Sequence, residues 1–359
     1  LSSYGINKPG TGGPSVLWQV MNRGKRSVGI DIRNPEGLEV LMSLVDEADI
    51  FLTNFMQPAR AKLGIDAKDI LARNPRIIYG RGTGHGPVGP DANRPGFDAL
   101  SYWARSGAAI AGMSNENRYP ALMPGPAFGD IQGGMNLAGG IMAGLYQRER
   151  TGKGCVVDVS LLSSGMWAMA ASTAGAYSRG TDNIEQLDRT RAPNPIANIY
   201  RSSDDRYFIV GALEGDRFWP SICKIVNRPD LIEDARFATS ADRTTNSEEC
   251  VAILESAFET MTLAQIAEAL EAAKCPWAAI NPPIHPVEDE QANANNYIQM
   301  VECGDEGSLP IVSAPIQIDE QAAVLTPAPG HCEHTDEILM SSGLTMDELL
   351  ELKVSGAIF

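Results

Sequence analysis

The strongest constraint on the fold is a regular alternation of strand and helix signals over the first 80 residues. Residues 27–32 read as a short strand, and Asn34 then supplies an N-cap followed by Pro at the first helical position. Apolar residues recur at helical spacing up to Asp49. Residues 50–53 predict a buried strand and 77–79 the next one. Strand and helix in turn predict parallel βα units, hence an α/β fold with a Rossmann-like sheet.

Two glycine-bearing segments follow these units. Residues 80–96 are rich in Gly and Pro, and a loop of this length is a candidate functional loop. A helix predicted over about 130–148 carries five glycines, each of which costs about 1 kcal/mol relative to Ala. Close packing against a sheet, a bulky ligand at the helix start, or both would explain them. Residues 155–160 predict a strand, and the polar, proline-containing stretch 178–199 predicts a domain boundary.

Charge and composition exclude several classes of partner. The net charge is −16, from 29 Lys and Arg against 45 Asp and Glu, which argues against nucleic acid or an anionic membrane surface. No apolar run approaches the roughly 20 residues that cross a bilayer. The six cysteines form no CxxC pair, which suits a reducing cytoplasm. We therefore expect a cytoplasmic protein without nucleic-acid or membrane partners, in which a local basic cluster holds any anionic ligand.

Familiar catalytic motifs are missing from the sequence. The four histidines include no HExxH pair, and the run His331–His334 is interpreted as a loop or cap rather than a metal site. No GxSxG, Walker or GxGxxG motif occurs. The sequence therefore predicts neither a metal site nor a tightly bound cofactor.

Asp130, within the run Gly129-Asp130-Ile131-Gln132-Gly133-Gly134, is the remaining candidate for chemistry. A carboxylate at a helix start is usually an N-cap, and spacing alone favours that interpretation. The flanking glycines would leave the carboxylate unshielded, and an exposed carboxylate can act as a nucleophile on an activated acyl group.

The surrounding motifs resemble those of the family III CoA-transferases, which include the α-methylacyl-CoA racemases. The resemblance covers nearly the whole chain in order. Its motifs are Asn22–Ser27 (NxxKRS), Asn54-Phe55 with Pro58 and Leu63-Gly64 (NFxPG…LG), Arg94–Asp98 (RPGYD), Phe128–Asp130 with Gly133 (GD…G), Arg148–Gly154 (RxxTGxG) and Gly330–Glu337 (GEHT).

This resemblance implies a fold and a division of the chain. The family forms an interlocked, ring-like homodimer, with a Rossmann-like large domain and an inserted smaller α/β domain. We assign residues 1–196 to the large domain, 197–299 to the small domain and 300–359 to the return of the chain. The family carries its first strand and several CoA contacts before the position of Leu1, so this N-terminal strand is expected to be missing here.

The resemblance also implies site residues. Asp130 is the nucleophile, with backbone amides near Gly133 and Gly134 holding oxyanions. Contacts to CoA, as the acyl-CoA substrate, are expected from matched positions, with Arg33 and Lys62 suited to its phosphates. These positions are Ile30, Arg33, Asn54, Phe55, Met56, Lys62, Pro95, Gly96, Phe97 and Asp98.

The implied activity is transfer of CoA from an acyl-CoA to a free carboxylic acid through an aspartyl anhydride and an aspartyl-CoA thioester. The racemase branch has a His acid/base where this chain has Phe97, and phenylalanine cannot exchange a proton. A racemase or isomerase using Asp130 with another base is the alternative within the family. A catalytically silent CoA-binding dimer is the alternative from another class.

Overall fold

The structure is a computed structural model that describes residues 15–113, 118–183 and 188–359. Its contacts divide the chain into two compact units, Leu1–Glu185 with Asn296–Phe359 and Gln186–Asn295. The predicted ranges 1–196, 197–299 and 300–359 follow the same order, and those domain boundaries stay a prediction.

The first unit begins with alternating helices and strands. Up to residue 113 its elements are α1 (Val16–Asn22), α2 (Pro35–Glu47), β1 (Ile50–Thr53), α3 (Gln57–Leu63), α4 (Ala67–Arg73), β2 (Ile78–Thr83), a π-helical segment (Asp98–Ala104) and α5 (Ala108–Ala111). After residue 118 come α6 (Phe128–Thr151), β3 (Cys155–Ser160), α7 (Leu161–Ala168) and α8 (Ala170–Arg179). The C-terminal part adds β7 (Ile298–Glu302), β8 (Ser308–Val312), α14 (Thr335–Ser341) and α15 (Met346–Val354).

The first three strands form one parallel sheet in the order β1-β2-β3. This confirms the predicted α/β class. The predicted burial of β1 is wrong at Leu52, which is largely exposed. Helix α6 packs closely on the sheet, since a Cβ built on Gly140 would lie 2.6 Å from the Val157 Cγ1 atom. Close packing therefore accounts for this glycine.

The strand predicted over residues 27–32 is wrong. In the structure only Ile30 forms a bridge, with Ile358. The segment is held by the C-terminal part of the unit: the Gly29 N–H donates to the Thr335 hydroxyl at 3.0 Å, and the Asp31 N–H donates to the Ala357 carbonyl at 2.9 Å. Because these partners are side chains and a chain end rather than a neighbouring strand, no ladder forms.

The second unit contains an antiparallel sheet in the order β4-β5-β6 and a helical layer. Its elements are β4 (Ile199–Arg201), β5 (Tyr207–Val210), α9 (Gly215–Ile225), α10 (Ser240–Thr245), α11 (Ser247–Phe258), α12 (Leu263–Ala272), β6 (Trp277–Ile280) and α13 (Glu290–Ala294). Aromatic rings of Tyr200, Phe208 and Phe258 pack together at its centre.

No single helix within 15–113, 118–183 and 188–359 is long and apolar enough to span a bilayer, and α11 with α12 meets that test only as a pair bent by 114°. In the same ranges, no three His, Cys, Asp or Glu side chains come together to hold a metal ion.

Candidate active site

A cavity of about 500 Å³ opens at the carboxyl ends of β1, β2 and β3, beside the first turn of α6. Parallel sheets commonly bind ligands at this edge, where the loops after successive strands meet. We call it the aspartate cavity. Its lining residues are Asn54, Gly82, Thr83, Gly84, Gly96, Phe97, Asp130, Gly133, Gly134, Leu137, Val159, Ser160 and Leu161.

A smaller cavity of about 190 Å³ adjoins it, and we call this the arginine cavity. The two share five lining residues, which are Asn54, Gly82, Thr83, Gly84 and Gly96. The arginine cavity is completed by Phe55, Met56, Gln57, Arg60, Arg81, Pro87, Ala92, Arg94 and Pro95. One elongated ligand can therefore touch both.

Asp130 is the third residue of α6, and Ala127 occupies the N-cap position. The interpretation of Asp130 as the N-cap is thus wrong. Its side chain makes no hydrogen bond or ion pair with any residue in the described ranges, and it remains exposed on the cavity side. The surrounding walls desolvate the carboxylate and raise its pKa, and the negative charge of Asp98 raises it further.

Asp98 reaches this position through the π-helical segment, a type of turn that is frequent at functional sites. Its Oδ1 accepts a 2.7 Å hydrogen bond from the Ala99 N–H, whereas its Oδ2 is buried and has no partner among the described residues. Gly129 allows this arrangement, since a Cβ there would lie 2.6 Å from Tyr102 and 3.0 Å from the Asp98 Cβ. The start of α6 and the π-helical segment are therefore in direct contact.

The oxyanion role expected near Gly133 and Gly134 is not available to their own N–H groups. Both residues lie in the second turn of α6, where each N–H donates to the carbonyl four residues earlier. The N–H groups without such a helical partner are those of Phe128, Gly129 and Asp130. Gly133 and Gly134 line the cavity as small residues instead.

Six of the ten predicted CoA-contact residues line the two cavities. Phe97 lines the aspartate cavity, and Phe55, Met56 and Pro95 line the arginine cavity. Asn54 and Gly96 belong to both. A seventh, Asp98, lies behind Asp130 rather than in either lining.

The other three predicted contacts also lie outside both linings. Ile30 packs among apolar residues of the C-terminal part. Arg33 is exposed and holds Asp31 through two guanidinium hydrogen bonds of 2.9 and 3.0 Å. Lys62 is exposed on the last turn of α3, with no ion-pair partner in the described part of the chain.

The sequence interpretation missed the three arginines of the arginine cavity. Arg60 is buried and bonded to Asp66 at 2.9 Å, and Arg81 is paired with Asp158. Arg94 is largely exposed, and the nearest carboxylate oxygen is 3.8 Å away on Asp91. Asp91 itself accepts a hydrogen bond from Arg105. The position of Arg94 in a Gly/Pro-rich loop, within the run Arg94–Asp98, was the available signal for this residue.

Comparisons with known proteins identify the family of the chain. The model of a family described as CoA-transferase family III matches residues 4–335. The chain is 30% identical over 354 residues to (R)-2-hydroxy-4-methylpentanoate CoA-transferase of Clostridioides difficile, covering 98% of this chain and 87% of that protein. It is 28% identical to human succinyl-CoA:glutarate CoA-transferase, covering 92% and 74%.

Among solved structures, a CAIB/BAIF family protein from Brucella suis superposes with a TM-score of 0.79 at 28% identity. The match covers 91% of this chain and 84% of that one. The α/β class with its parallel sheet is therefore shared with a solved structure.

Proposed function

The chain belongs to CoA-transferase family III, and on that premise we propose that it moves CoA from an acyl-CoA to a free carboxylic acid with Asp130 as the nucleophile. One observation carries the assignment to Asp130. Its carboxylate faces the aspartate cavity without a hydrogen bond or ion pair to any residue within 15–113, 118–183 and 188–359. A carboxylate that no cation holds retains its nucleophilicity toward an activated acyl carbon.

The first half of the reaction makes an enzyme-bound CoA thioester. An Asp130 oxygen attacks the thioester carbon and the C–S bond breaks, which gives a mixed anhydride between Asp130 and the acyl group and releases CoA as a thiolate. The thiolate then attacks the Asp130 carbonyl, and the donor acid leaves as a carboxylate. No proton enters or leaves in these two steps.

The second half repeats these steps in reverse with the acceptor. The acceptor carboxylate attacks the carbonyl carbon of the aspartyl thioester and expels the CoA thiolate. This attack joins the acceptor acid and Asp130 in a new anhydride. The thiolate attacks the acceptor's acyl carbon, which yields the product acyl-CoA and frees the Asp130 carboxylate. The N–H groups at the start of α6, which have no acceptor within the helix, are proposed as donors for oxyanions formed at Asp130.

The arginine cavity is proposed to hold part of the CoA chain. Asn54 and Gly96 line both cavities, so a chain passing them leads from the arginine cavity to Asp130. We propose that Arg94 pairs with an anionic group of CoA there, since it has no carboxylate closer than 3.8 Å. Ile30, Arg33 and Lys62 remain proposed contacts for the parts of CoA outside these cavities.

Asp98 is proposed to act on Asp130 rather than on CoA. Repulsion between the two carboxylates disfavours the charged form of Asp130, and acylation of Asp130 removes that charge. The ester or anhydride state is thereby favoured over the free carboxylate. The raised pKa also affects the pH dependence of catalysis. On acidification Asp130 becomes protonated, and so stops acting as a nucleophile, at a higher pH than an ordinary aspartate does.

The homodimer is also proposed. Helices α7 and α8 expose large apolar side chains, among them Trp167 and Tyr177, and faces of this kind usually meet a partner. A second copy of the chain would cover them. Light scattering during gel filtration should give twice the monomer mass, whereas a monomeric mass at micromolar protein would contradict the proposal. Cytoplasmic location and the absence of nucleic-acid or membrane partners stay predictions.

The racemase alternative makes a different demand on the site. It needs a second acid/base, and the predicted position holds Phe97, whose ring is 64% exposed and has no ionisable group. A chiral 2-methylacyl-CoA incubated with the protein in deuterated water should gain no deuterium at the α-carbon. Incorporation at the rate of turnover would favour the racemase instead, and CoA binding without any exchange would favour the silent dimer.

The decisive experiment replaces the nucleophile. Asp130→Asn keeps the side-chain size but lacks the carboxylate, so CoA exchange between an acyl-CoA and a free acid should fall by about 10³-fold or more. Wild-type protein given acyl-CoA should yield a hydroxamate on the peptide containing Asp130 after hydroxylamine treatment. Glu149→Gln, an exposed carboxylate at the far end of α6, is the matched control and should exchange CoA normally. Near-normal exchange by Asp130→Asn would remove Asp130 from the mechanism.

A further inference from the structure

The family relationship leaves the acid unspecified, since the relatives named above carry a branched hydroxy acid in one case and dicarboxylic acids in the other. We infer that the aspartate cavity takes the acyl group of a monocarboxylic acid with an apolar, branched or aryl body, and discriminates against dicarboxylic acids. This inference rests on the proposed function and specifies the substrate class of the same site.

Four residues that line the aspartate cavity have apolar side chains. Leu137 on α6, Val159 on β3 and Leu161 on α7 contribute aliphatic side chains from three different elements, and the Phe97 ring contributes an aromatic face. A cavity of about 500 Å³ is larger than a two-carbon acyl group requires. Burying an apolar body there gains roughly 25 cal/mol per Å² of apolar surface.

Two uncharged polar side chains of the lining accept hydrogen bonds from the protein backbone. The Thr83 hydroxyl accepts a 3.0 Å hydrogen bond from the Gly86 N–H, and the Ser160 hydroxyl accepts one of 2.9 Å from the Ser163 N–H. Asn54 stands at the junction with the arginine cavity, where the CoA chain is proposed to pass. Each hydroxyl accepts in these bonds and keeps its O–H as a donor, so the lining offers uncharged donors but no cation to an acyl chain.

The charges around the aspartate cavity disfavour dicarboxylic acids more strongly than its apolar side chains do. Among the described lining residues of the aspartate cavity the one charged group is Asp130, and Asp98 adds negative charge behind it. The free N–H groups at the start of α6 can accommodate the reacting carboxylate of an acid. A second carboxylate would meet these aspartates without a cation, and an unpaired charge in such a cavity is costly.

The cations lie in the neighbouring cavity and are largely committed. Arg60 and Arg81 are paired with Asp66 and Asp158, and Arg94 is assigned above to CoA. The charges of the two cavities are therefore divided, with cations toward the CoA chain and an apolar, anionic surface toward the acyl group. A dicarboxylic acid fits the second surface poorly.

Gly134 provides a way to test the acyl site by size. A Cβ built on Gly134 meets no atom within 4 Å, and the residue lines the aspartate cavity. Gly139 lies on the same helix, its built Cβ likewise meets nothing within 4 Å, and it is absent from both linings. Leucine is a good helix former at either position. Gly134→Leu therefore fills the cavity, and Gly139→Leu is the matched control.

The experiment measures kcat/KM for CoA transfer from butanoyl-CoA to matched acids. Hexanoate, 4-methylpentanoate and 3-phenylpropanoate should each exceed adipate and glutarate by at least about tenfold, a difference of 1.4 kcal/mol. Gly134→Leu should lower kcat/KM for 3-phenylpropanoate at least about tenfold more than for propanoate. Gly139→Leu should leave the ratio between these two acids unchanged.

The possible results distinguish a wrong substrate class from a wrong proposed function. Dicarboxylic acids accepted as well as their monocarboxylic partners would overturn the substrate class while leaving CoA transfer intact. Equal loss with propanoate and 3-phenylpropanoate in Gly134→Leu would remove the acyl group from this cavity. Absence of exchange with every acid, together with absence of a hydroxamate at Asp130, would overturn the proposed function itself.

Discussion

The aspartate cavity and the arginine cavity share five lining residues but handle charge in opposite ways. In the first, the charged group is unpaired and carries the proposed chemistry. In the second, two of three guanidinium groups are tied to carboxylates. The ionised side chains beside the two cavities are therefore of two kinds. Some, such as Asp130, have no partner in the described part of the chain and are proposed to react, and others, such as Arg60 and Arg81, hold a carboxylate and stabilise the fold.

The arginines of the arginine cavity also differ from one another in exposure and in hydrogen bonding. Arg60 is 2% exposed and also donates a hydrogen bond to the Phe55 carbonyl, so its guanidinium group is bonded within the protein. Arg94 is 66% exposed in its side chain and has no close carboxylate. We expect Arg60 to be structural and Arg94 to bind ligand, although both line the same cavity.

The largest expected effect is on Arg60. Arg60→Met should lower the free energy of unfolding by about 3–5 kcal/mol, because it leaves the largely buried Asp66 carboxylate without its cation. Urea denaturation followed by circular dichroism measures this. Arg76→Met, which breaks an exposed ion pair with Glu149 and a long, exposed hydrogen bond to the Gly152 carbonyl, should stay within about 0.5 kcal/mol of the wild type. A loss below 1 kcal/mol for Arg60→Met would place Arg60 with Arg94 among the groups free to bind ligand.

The next effect is on binding. Arg94→Met should leave unfolding within about 0.5 kcal/mol of the wild type, yet weaken CoA binding roughly three- to tenfold at low salt, and less at high salt. Calorimetric titration at two salt concentrations measures both. Arg191→Met is matched in exposure and lies in the other unit, so its CoA affinity should not change. Equal affinities for Arg94→Met and wild type would reduce the arginine cavity to a structural feature.

The parts of the fold that the sequence predicted are those set by local pattern. Strands β1 and β3 and helix α6 follow from short apolar runs, turns and helical spacing within one segment. The strand expected over residues 27–32 was wrong because that segment depends on Thr335 and Ala357, more than 300 residues away. Such partners leave no periodic signal in the segment itself.

The site was predictable to the same degree. Asp130 and the segments around Phe55 and Phe97 were found as motifs, and the carboxyl ends of parallel strands bring them to one edge. The oxyanion donors expected near Gly133 and Gly134 stay a prediction: the N–H groups of these two glycines are bonded within α6, and the motif does not show which neighbouring amides are free. Which arginine is paired was beyond prediction, since it depends on carboxylates in other segments.

A smaller effect tests the charge of the aspartate cavity. Asp98→Asn removes one of the two causes that raise the pKa of Asp130, so the acid limb of the kcat/KM profile should move to lower pH. Desolvation, the larger cause, remains, so the limb should stay above that of an ordinary aspartate. CoA affinity should be unchanged. Lower activity with an unmoved acid limb would show that Asp98 only supports the fold of the π-helical segment.

The smallest expected effect concerns strained backbone just before α6, beside the aspartate cavity. Ala127, just before α6, has φ 58° and ψ 18°, a left-handed conformation that costs a non-glycine residue about 1–2 kcal/mol. Ala127→Gly should therefore raise the free energy of unfolding by about 1 kcal/mol. Ala143→Gly, the same change within α6, should lower it by about 1 kcal/mol. Urea denaturation of both variants measures the difference. A loss of stability in both would mean that the first turn of α6 is not strained. The strained alanine has a consequence for the site, because alanine has no side-chain acceptor to cap the helix. The amides at Phe128, Gly129 and Asp130 therefore have no acceptor within α6, whereas two of the three guanidinium groups in the arginine cavity are bound to carboxylates of the chain.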